Sequence, residues 1–502
     1  MKALSTSTWL CLGLTLLAIL QAIRLNYISR QPLRSLSSPQ YPQHPNEEAQ
    51  PSAVETLTVP PLSTGPAHSL MDNTQLANDP SNLFYFVQVS DLHISKFRSQ
   101  TDHFLHFVRS ALPVIRPSFV VVTGDLTDAK DTDDIKTRQF KEEWQLYQSA
   151  VEEGSDLAWY DMRGNHDCFD MPSWQSDVNL YRTFGRSAKL LEQGQGVYSW
   201  HVNQTYGQYR FVALDACPKR GPARPLNFYG YLPTNTMDRL ENTLLDGRTY
   251  NHTFLFTHYP TTTMVFGQSS LGHTFKDLMR QTSAYFCGHL HRLMFGLGDI
   301  LKSYDTTTDS LELELGDMKD HGVYRILAVD HDLVSFVDVE LPLQPANDVY
   351  DFPLSDDKKV IWPDTIALAP VILITNPKDA RYLLTNKEPT HRIRTSTHIR
   401  FLVFSTHPPS SLKVRIFVDN KPHPFAATWS GNEHTPLWTS SWSPEDFDDI
   451  STHSLRIQVT APDAQVGESQ ILFRVDSVRL MIGGGFGEWL IGTSAANIVS
   501  EQ

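Results

Sequence analysis

The stretch FVQVSDLHISKF, residues 86–97, starts as a short apolar strand and ends with a carboxylate and an imidazole. Asp91 and His93 stand two residues apart, and residues with this spacing share one face of an extended segment. In α/β folds, functional sites are assembled from polar side chains at the carboxyl ends of several strands. We therefore expect further polar side chains at the ends of other strands in this chain.

Four later apolar segments end in the same way, in the motifs GD, GNHD, a single His, and GHLH. The ligand-type residues in these motifs are Asp125, Asn165, His166, His258, His289 and His291. Carboxylate, imidazole and amide donors without a thiolate suit Mn, Zn or Fe ions. Because a catalytic zinc usually takes about three protein ligands, this larger set predicts two ions that share one carboxylate.

Each of these residues also has an ordinary structural explanation. A single histidine is more often a hydrogen-bonded structural residue, and an aspartate at a strand end is often a turn former or a helix cap. Eight ligand-type residues in order at five strand ends nevertheless favour a dinuclear metal site. We interpret Cys168 as inert packing rather than a redox-sensitive thiol. We take His273, His321 and His331 as ordinary residues because they have no matched partner.

The pattern of strands and helices predicts two regions. Between residues 83 and 343, short apolar strands alternate with helical stretches, as at 134–154, where Phe140, Trp144, Tyr147 and Val151 have helical spacing. This alternation indicates a layered α/β fold, and antiparallel-looking strands late in the region argue against a doubly wound sheet. From about residue 351 to 482, period-two alternation broken by turn residues predicts an antiparallel β-sandwich.

The motifs DxH, GDxxD, GNHD, a single His and GHxH, in this order, resemble the calcineurin-like metallophosphoesterase superfamily. The resemblance implies two sets of metal ligands and a bridge. These are Asp91, His93 and His291 for the first ion, Asn165, His258 and His289 for the second, and Asp125 between them. Two ions held in this way activate a hydroxide and stabilise the phosphoryl charge of a mono- or diester.

Two further residues are expected to act in catalysis. His166 lies next to Asn165 but belongs to neither ligand set, so we expect it to donate a proton to the leaving alkoxide. Asp128 lies three residues after the bridging Asp125. In related phosphatases the residue at this position orients the imidazole that corresponds to His166 and favours its charged form. The sequence is thus expected to encode a dinuclear metal-dependent phosphoric ester hydrolase.

Four other segments are similar to the transmembrane protein 62 group. They are GDLTDAK at 124–130, KRGPARPLNFYG at 219–230, GDMKDHGVYRILAVDHDLVSFVD at 316–338 and VILITNPKDARYLL at 371–384. Members of that group place an Ig-like sandwich after the phosphoesterase domain. The resemblance therefore implies an α/β (α+β layered) fold, in which a metallophosphoesterase β-sandwich flanked by helices precedes an all-β Ig-like sandwich.

The predicted organisation has five parts. They are a signal anchor or transmembrane helix at 1–30, a disordered linker at 31–82, the phosphoesterase domain at 83–345, the Ig-like domain at 355–482 and a tail at 483–502. The linker is rich in Pro, Ser and Gln and has no apolar periodicity. Residues 9–23 are short for a spanning helix of roughly 17–25 residues and long for a signal-peptide core of about 7–15. We favour an uncleaved signal anchor over a removed signal peptide.

The orientation of the chain follows from weaker signals. Basic residues after the apolar stretch pull the chain toward the cytosol, although long domains often translocate regardless of flanking charge. Sequons at Asn203 and Asn251 suit a glycoprotein with a luminal or extracellular catalytic domain. We therefore expect a single-pass protein of the endomembrane system or cell surface, with its N-terminal helix in the membrane.

Composition limits the partners. A formal net charge of −14 argues against a general surface grip on nucleic acid, although it permits a phosphate ester bound through metal ions. Four cysteines in 502 residues exclude a disulfide scaffold, and at most one bridge can form among the three outside the N-terminal apolar stretch.

Two other functions stay open. A protein that keeps the phosphoesterase fold but does not turn over a substrate would act as a scaffold or binding protein at a membrane. Alternatively, the sandwich could mediate adhesion through Trp429, Trp438 and Trp442, although sandwich cores commonly use tryptophan. A polar loop could cover the site and read the second substituent of the ester, or it could be a solvated surface loop. Its residues are Lys219, Arg220, Arg224 and Asn227.

Overall fold

The apolar strand that precedes Asp91 lies at the centre of a five-stranded sheet in the computed structural model. The structure describes residues 75–154, 156–246, 248–292, 300–342 and 350–493. The strands up to residue 340 are β1 Leu83–Val89, β2 Phe119–Thr123, β3 Ala158–Met162, β4 Val197–Gln204, β5 Gly207–Leu214, β6 Gly230–Leu232, β7 His252–Phe256, β8 Met264–Phe266, β9 Ala284–Cys287, β10 Lys302–Asp305, β11 Ser310–Glu314, β12 Val323–Asp330 and β13 Leu333–Glu340. The first sheet has the order β13-β12-β1-β2-β3, with β1, β2 and β3 parallel.

A second sheet packs against the first. Its order is β10-β11-β9-β7-β5-β4, and β5, β7, β9 and β11 run parallel. Phe86 of the first sheet is fully buried, and its ring lies 5.3 Å from that of Phe211 and 6.1 Å from that of Phe254 in the second. The aromatic layer between the sheets forms the core. The carboxyl ends of the parallel strands from both sheets lie at a common edge of this pair of sheets.

Helices cover the outer faces of this pair of sheets. The helices up to residue 321 are α1 Thr101–His106, α2 Leu112–Ile115, α3 Lys141–Gly154, α4 Tyr181–Phe184, α5 Ala188–Gln193, α6 Thr234–Leu244, α7 Phe275–Met279 and α8 Met318–His321. Between α1 and α2 the residues Phe107–Ala111 form a π-helical turn. The remaining helices are α9 His391–Arg394 and α10 Gly485–Ile491.

The predicted layered fold is confirmed, with particular differences. The strands that precede the five motifs form, and the late antiparallel pair β12–β13 joins the first sheet, so the fold is not a doubly wound sheet. The sequence did not reveal β4, β6, β8 and β10. Helix α3 begins only at Lys141, because Asp133 accepts hydrogen bonds from the amides of Ile135 and Lys136 and fixes a turn before it. Trp144 and Tyr147 of this helix are buried as predicted.

The C-terminal region is the predicted antiparallel sandwich. Its strands are β14 Val371–Asn376, β15 His398–Phe404, β16 Lys413–Val418, β17 Lys421–Pro422, β18 Thr428–Trp429, β19 Leu437–Ser441, β20 His453–Thr460 and β21 Val466–Phe473. They form two four-stranded sheets, β14-β15-β19-β18 and β17-β16-β20-β21. Trp438 and Trp442 lie in the core between the sheets, so they offer no surface for adhesion, and only Trp429 is partly exposed, at 38%.

Residues 75–82, within the predicted linker, contact the sandwich. Leu76 is fully buried in its core, and the Gln75 side chain donates a hydrogen bond to the carbonyl of Thr395. The predicted anchor at 1–30 and the linker up to residue 74 lie outside the described residues. Within the described ranges, no helix combines the length and apolar character needed to cross a membrane. The domain boundaries given above stay predictions.

Candidate metal centre

The predicted site residues lie together where the two sheets meet. Asp91 and His93 follow β1, Asp125 follows β2, and Asn165 and His166 follow β3. From the second sheet, His258 follows β7, and His289 and His291 follow β9. The parallel direction of these strands is what brings residues from five segments to one edge.

The first group contains Asp91, His93 and His291, whose ligand-type atoms lie within 4.8 Å of one another. His291 Nε2 lies 3.0 Å from Asp91 Oδ1 and 3.3 Å from His93 Nε2. His93 Nε2 is 3.8 Å from the same Asp91 oxygen. One carboxylate oxygen and two ring nitrogens therefore face a common point, as a metal ion requires.

The second group contains Asn165, His258 and His289. Asn165 Oδ1 lies 2.9 Å from His289 Nδ1 and 3.2 Å from His258 Nε2, and these two nitrogens are 3.1 Å apart. Asp125 stands between the groups, with Oδ1 3.4 Å from His258 Nε2 and Oδ2 3.5 Å from His93 Nε2. The structure therefore brings all seven candidate ligands together, with Asp125 between the two groups, and their assignment to two metal ions stays a prediction.

The hydrogen bonds around the second group fit a bound cation. His258 Nδ1 donates to the carbonyl of Thr123 at 2.8 Å, which turns the opposite nitrogen toward Asn165 Oδ1. In neutral His258 that nitrogen and the amide oxygen both present lone pairs, and an ion between them would satisfy both. Among the residues that the structure describes, buried His289 Nε2 and Asp128 Oδ1 have no hydrogen-bond partner.

The charges of the buried Asp and His side chains are also compatible with a bound metal ion. Burial alone would raise the pKa of Asp91, but His291 and His258 hold it well below its usual range. Burial likewise lowers the pKa of His258, yet the carboxylates of Asp125 and Asp91 raise it to about 9. Buried carboxylates that keep their charge need compensating positive charge close by; His291 and His258 provide it here, and a bound metal ion would take over this role.

Backbone conformation is unusual at the candidate ligands. Five of the seven have positive φ: Asp91 at 54°, His93 at 44°, Asp125 at 51°, His289 at 86° and His291 at 59°. Each such residue costs of order 1–3 kcal/mol, and strained backbone of this kind clusters at functional sites. Gly124 has φ 88°, and a Cβ there would meet the His258 side chain at 2.7 Å. A glycine is therefore required where β2 delivers Asp125 to the site.

His166 is held differently from the prediction. Its Nδ1 lies 2.6 Å from the backbone carbonyl of Asp128, whereas the Asp128 carboxylate is 3.8 Å away. That carboxylate instead lies 3.3 Å from His93 Nδ1, accepts a hydrogen bond from Arg98 and forms an ion pair with Lys130. The two cations draw the side chain of Asp128 away, so it orients a candidate ligand while its main chain orients His166. Burial lowers the pKa of His166 to about 3.

Asp167, which the sequence interpretation passed over, ties two site loops together. Its buried carboxylate accepts hydrogen bonds from the amides of Leu126, Thr127 and Gly164. Burial and the neighbouring Asp125 raise its pKa to about 7. Its place in the GNHD motif was the available signal, but only the fold shows that it anchors the segment after β2.

A disulfide joins Cys168 to Cys217, with 6.5 Å between their Cα atoms. The interpretation of Cys168 as inert packing did not include this bridge, because its partner lies 49 residues later in the chain, whereas the expectation of at most one disulfide agrees with the structure. The bridge fastens the segment after Asn165 to the start of the 218–229 loop. Cys287 is a buried free cysteine.

The 218–229 loop is solvated at its beginning and packed against the site at its end. Lys219 and Arg220 are exposed, and Arg224 donates to the backbone carbonyl of Asp134 at 2.7 Å. Asn227 is buried and donates to the carbonyl of Asn165 at 3.2 Å. The first half of the loop is therefore solvated surface, Asn227 lies against the site, and a role of the loop in reading the ester stays a prediction.

The three histidines without a sequence partner have carboxylate partners in the fold. His273 Nδ1 lies 2.8 Å from Glu241, His321 Nδ1 2.7 Å from Asp317 and His331 Nδ1 2.7 Å from Asp330. Of these six residues only Asp317 approaches the site, where its carboxylate is 3.9 Å from His291 Nδ1. Their structural role agrees with the ordinary reading of these residues.

The fold is that of a metallophosphoesterase domain, and the two groups of candidate ligands lie at its strand ends. Residues 84–293 match the profile of the calcineurin-like phosphoesterase family, and residues 366–479 match that of the TMEM62 Ig-like domain. Residues 84–293 therefore form a calcineurin-like phosphoesterase domain, and residues 366–479 form a TMEM62 Ig-like domain. Among curated proteins it is similar to mouse Transmembrane protein 62, with 34% identity over 388 residues, 76% of this chain and 54% of the relative.

A second relative is the Arabidopsis thaliana protein named "Putative metallophosphoesterase At3g03305". It is 28% identical over 378 residues, which cover 66% of this chain and 48% of that protein. The chain thus spans about half the length of both curated relatives.

Proposed function

We propose that this protein is a metal-dependent hydrolase of phosphate mono- or diesters. One observation carries the proposal: ligand-type atoms from five strand ends converge in two groups on the two oxygens of Asp125. The hydrogen bond from His258 Nδ1 to the Thr123 carbonyl supports it further because it fixes the orientation of the ring, and the strained backbone of five candidate ligands does so because it costs free energy that a purely structural site does not require.

The proposed ligands are Asp91, His93 and His291 in one group, Asn165, His258 and His289 in the other, and Asp125 between them. Two Mn, Zn or Fe ions held there would supply an activated hydroxide and neutralise charge on the phosphoryl group. The chain's own part is to orient these donors and to exclude water, because the candidate ligands are buried except for His291, which is partly exposed.

His166 is the proposed proton donor to the leaving alkoxide. Its Nδ1 is engaged by the carbonyl of Asp128, so Nε2 is the nitrogen that faces the site, 3.9 Å from Asp125 Oδ2. Gln139 donates to the His166 carbonyl at 2.9 Å and fixes the backbone at this position. General acid catalysis requires the imidazolium form, so the proposal requires that the negative charge of a bound phosphate ester raise the pKa of His166, which burial lowers to about 3.

The metal dependence of turnover tests this assignment. The full-length protein is stripped of metal, reloaded with Mn, Zn or Fe, and assayed on a nitrophenyl phosphate monoester and a nitrophenyl diester. We expect turnover only after reloading, and a loss of about 10²–10⁴-fold in kcat for His166→Ala with metal content unchanged. His434→Ala, an exposed histidine of the sandwich, is the matched control and should keep full activity.

The alternative is a phosphoesterase-fold scaffold or binding protein at a membrane. Full metal loading without turnover of any phosphate ester would favour the scaffold. Equal activity of His166→Ala and the parent would remove His166 from the mechanism.

We further propose that the catalytic domain lies in the lumen or outside the cell, anchored through residues 1–30. The Cys168–Cys217 disulfide supports an oxidising compartment. The two sequons differ in accessibility. Asn203 is exposed near the end of the edge strand β4, whereas the Asn251 side chain accepts from the amide of Gln208 and donates to Asp332. A glycan fits at Asn203, but at Asn251 it would break these hydrogen bonds.

Glycosidase digestion of the full-length protein from animal cells tests this orientation. We expect an N-glycosidase to shift its mobility, Asn203→Gln to abolish the shift, and Asn251→Gln to keep it. Alkylation of the denatured, unreduced protein should spare Cys168 and Cys217. An unshifted parent with both thiols alkylated would place the domain in the cytosol.

A further inference from the structure

Exposed apolar side chains gather beside the candidate metal centre. Leu226, Phe228 and Tyr229 of the loop are 79%, 41% and 54% exposed. Tyr231 on β6 is paired in register with Val265 on β8, and both are also exposed. We call these five residues the apolar ledge. Large apolar side chains concentrated in this way on a soluble surface mark a binding site.

The ledge is continuous with the site. The Phe228 ring lies 4.5 Å from the imidazole of His289 and 5.4 Å from the ring of Tyr229. At Gly230 the chain packs so closely on Tyr259 that a Cβ would approach that ring to 2.8 Å. Tyr259 itself follows His258, so both ends of this short segment rest on candidate ligands or their neighbours. A molecule on the ledge would therefore extend from the metal centre.

A buried acceptor lies where the ledge joins the site. Asn227 is 2% exposed, and in the part of the chain that the structure describes its Oδ1 has no hydrogen-bond partner. Its amide nitrogen is already used by the Asn165 carbonyl. A buried oxygen without a donor is unfavourable, and the O–H of a singly protonated phosphate ester at the junction would satisfy it.

Among the described residues, the cations around Asp128 are already paired with carboxylates. Arg98 and Lys130 are paired with the carboxylates of Asp128 and Asp134. Arg224 lies 3.6 Å from the Asp134 carboxylate and donates to its carbonyl. A substrate with a second phosphate would find these charges already neutralised, which leaves the apolar ledge to select the organic part of the ester.

We propose that the substrate is a phosphate ester of a large apolar alcohol, whose hydrocarbon part lies on the apolar ledge while its phosphate occupies the metal centre. This inference rests on the proposed function, since it assigns a substrate class to the same site. Burial of each methylene on the ledge contributes about 0.8 kcal/mol, or roughly fourfold in affinity, so two buried methylenes give more than tenfold.

Two measurements on the metal-loaded, full-length protein test the substrate class. Calorimetry measures the Kd of octylphosphonate and of methylphosphonate, whose binding requires no turnover. Phosphate release measures the hydrolysis of octyl phosphate and of glycerol phosphate. All compounds are kept below micelle-forming concentrations. We expect the octyl compounds to be favoured more than tenfold in Kd and in kcat/KM. Phe228→Ser and Leu226→Ser should reduce both ratios severalfold or more, whereas Ile450→Ser, an 89% exposed apolar residue of the sandwich, should leave them unchanged.

The outcomes separate the two proposals. Equal affinity for both phosphonates, or a preference that survives Phe228→Ser and Leu226→Ser together, overturns the inference on the ledge. Turnover of glycerol phosphate and octyl phosphate at equal rates overturns it while leaving the hydrolase intact. An octyl preference in binding without hydrolysis of either ester supports the ledge and overturns the hydrolase instead.

Discussion

Asp125→Asn is expected to lower kcat/KM for every phosphate ester by more than about a hundredfold, and to weaken metal binding as well. The loss of outer-shell partners of metal ligands already costs about 10–100-fold, and Asp125 is a candidate direct ligand to both groups. Its two oxygens lie 3.4 Å and 3.5 Å from ring nitrogens of opposite groups, and an amide offers only one oxygen without charge. The same carboxylate accepts from the amide of His166 at 2.9 Å.

Metal titration by calorimetry and steady-state kinetics measure this effect. The parent is expected to bind two ions and Asp125→Asn fewer, or both more weakly. Asp463→Asn, a partly exposed carboxylate of the sandwich surface, is the matched control. Two tightly bound ions and activity within tenfold of the parent would contradict the bridging position of Asp125.

Arg400→Met is expected to lower the free energy of unfolding by about 3–5 kcal/mol, because it leaves a buried carboxylate without its partner. Arg400 on β15 of the sandwich and Asp330 at the end of β12 are both fully buried, with 2.9 Å between Nε and Oδ2. Arg400 also donates to the carbonyls of Ala77 and Asp79, so it joins three segments. Denaturant unfolding of the full chain measures the loss, with exposed Arg415→Met as control.

The same pair has a pH signature. Burial would raise the pKa of Asp330, but Arg400 and His331 hold it well below its usual range. A carboxyl with a depressed pKa stabilises the fold above the unfolded value of about 3.9, and this contribution is lost as pH falls below it. The stability gap between the parent and Asp330→Asn should therefore be full at pH 6 and shrink below about pH 4. A stability gap that does not change with pH would contradict this account of the ion pair between Arg400 and Asp330. An Arg400→Met variant as stable as the parent would contradict it as well.

The candidate ligands could be predicted from the sequence because their signals are local. Asp91 and His93 follow an apolar strand at a spacing of two, and His289 and His291 repeat this arrangement. The alternation in the sandwich is equally local, which is why its main strands were found. Strand β4 was missed because its alternation is imperfect: Val197 and Tyr198, which are adjacent, are both buried.

Features that depend on distant segments could not be predicted. The bond between Cys168 and Cys217 needs β3 and β5 to be placed side by side first. The direction of the Asp128 carboxylate depends on Arg98, thirty residues earlier, and on Lys130 beside it. The difference between Asn203 and Asn251 likewise requires the contact of Asn251 with Asp332, eighty-one residues away.

The arrival of the candidate ligands from both sheets has a consequence for biosynthesis. Asp91 is made about two hundred residues before His289 and His291, so a growing chain cannot complete either ligand group until β9 has left the ribosome and joined its sheet. Ion capture is then a late step, which takes place wherever the second sheet folds. The supply of metal in that compartment, rather than at the site of translation, would decide how much of the newly made protein becomes active.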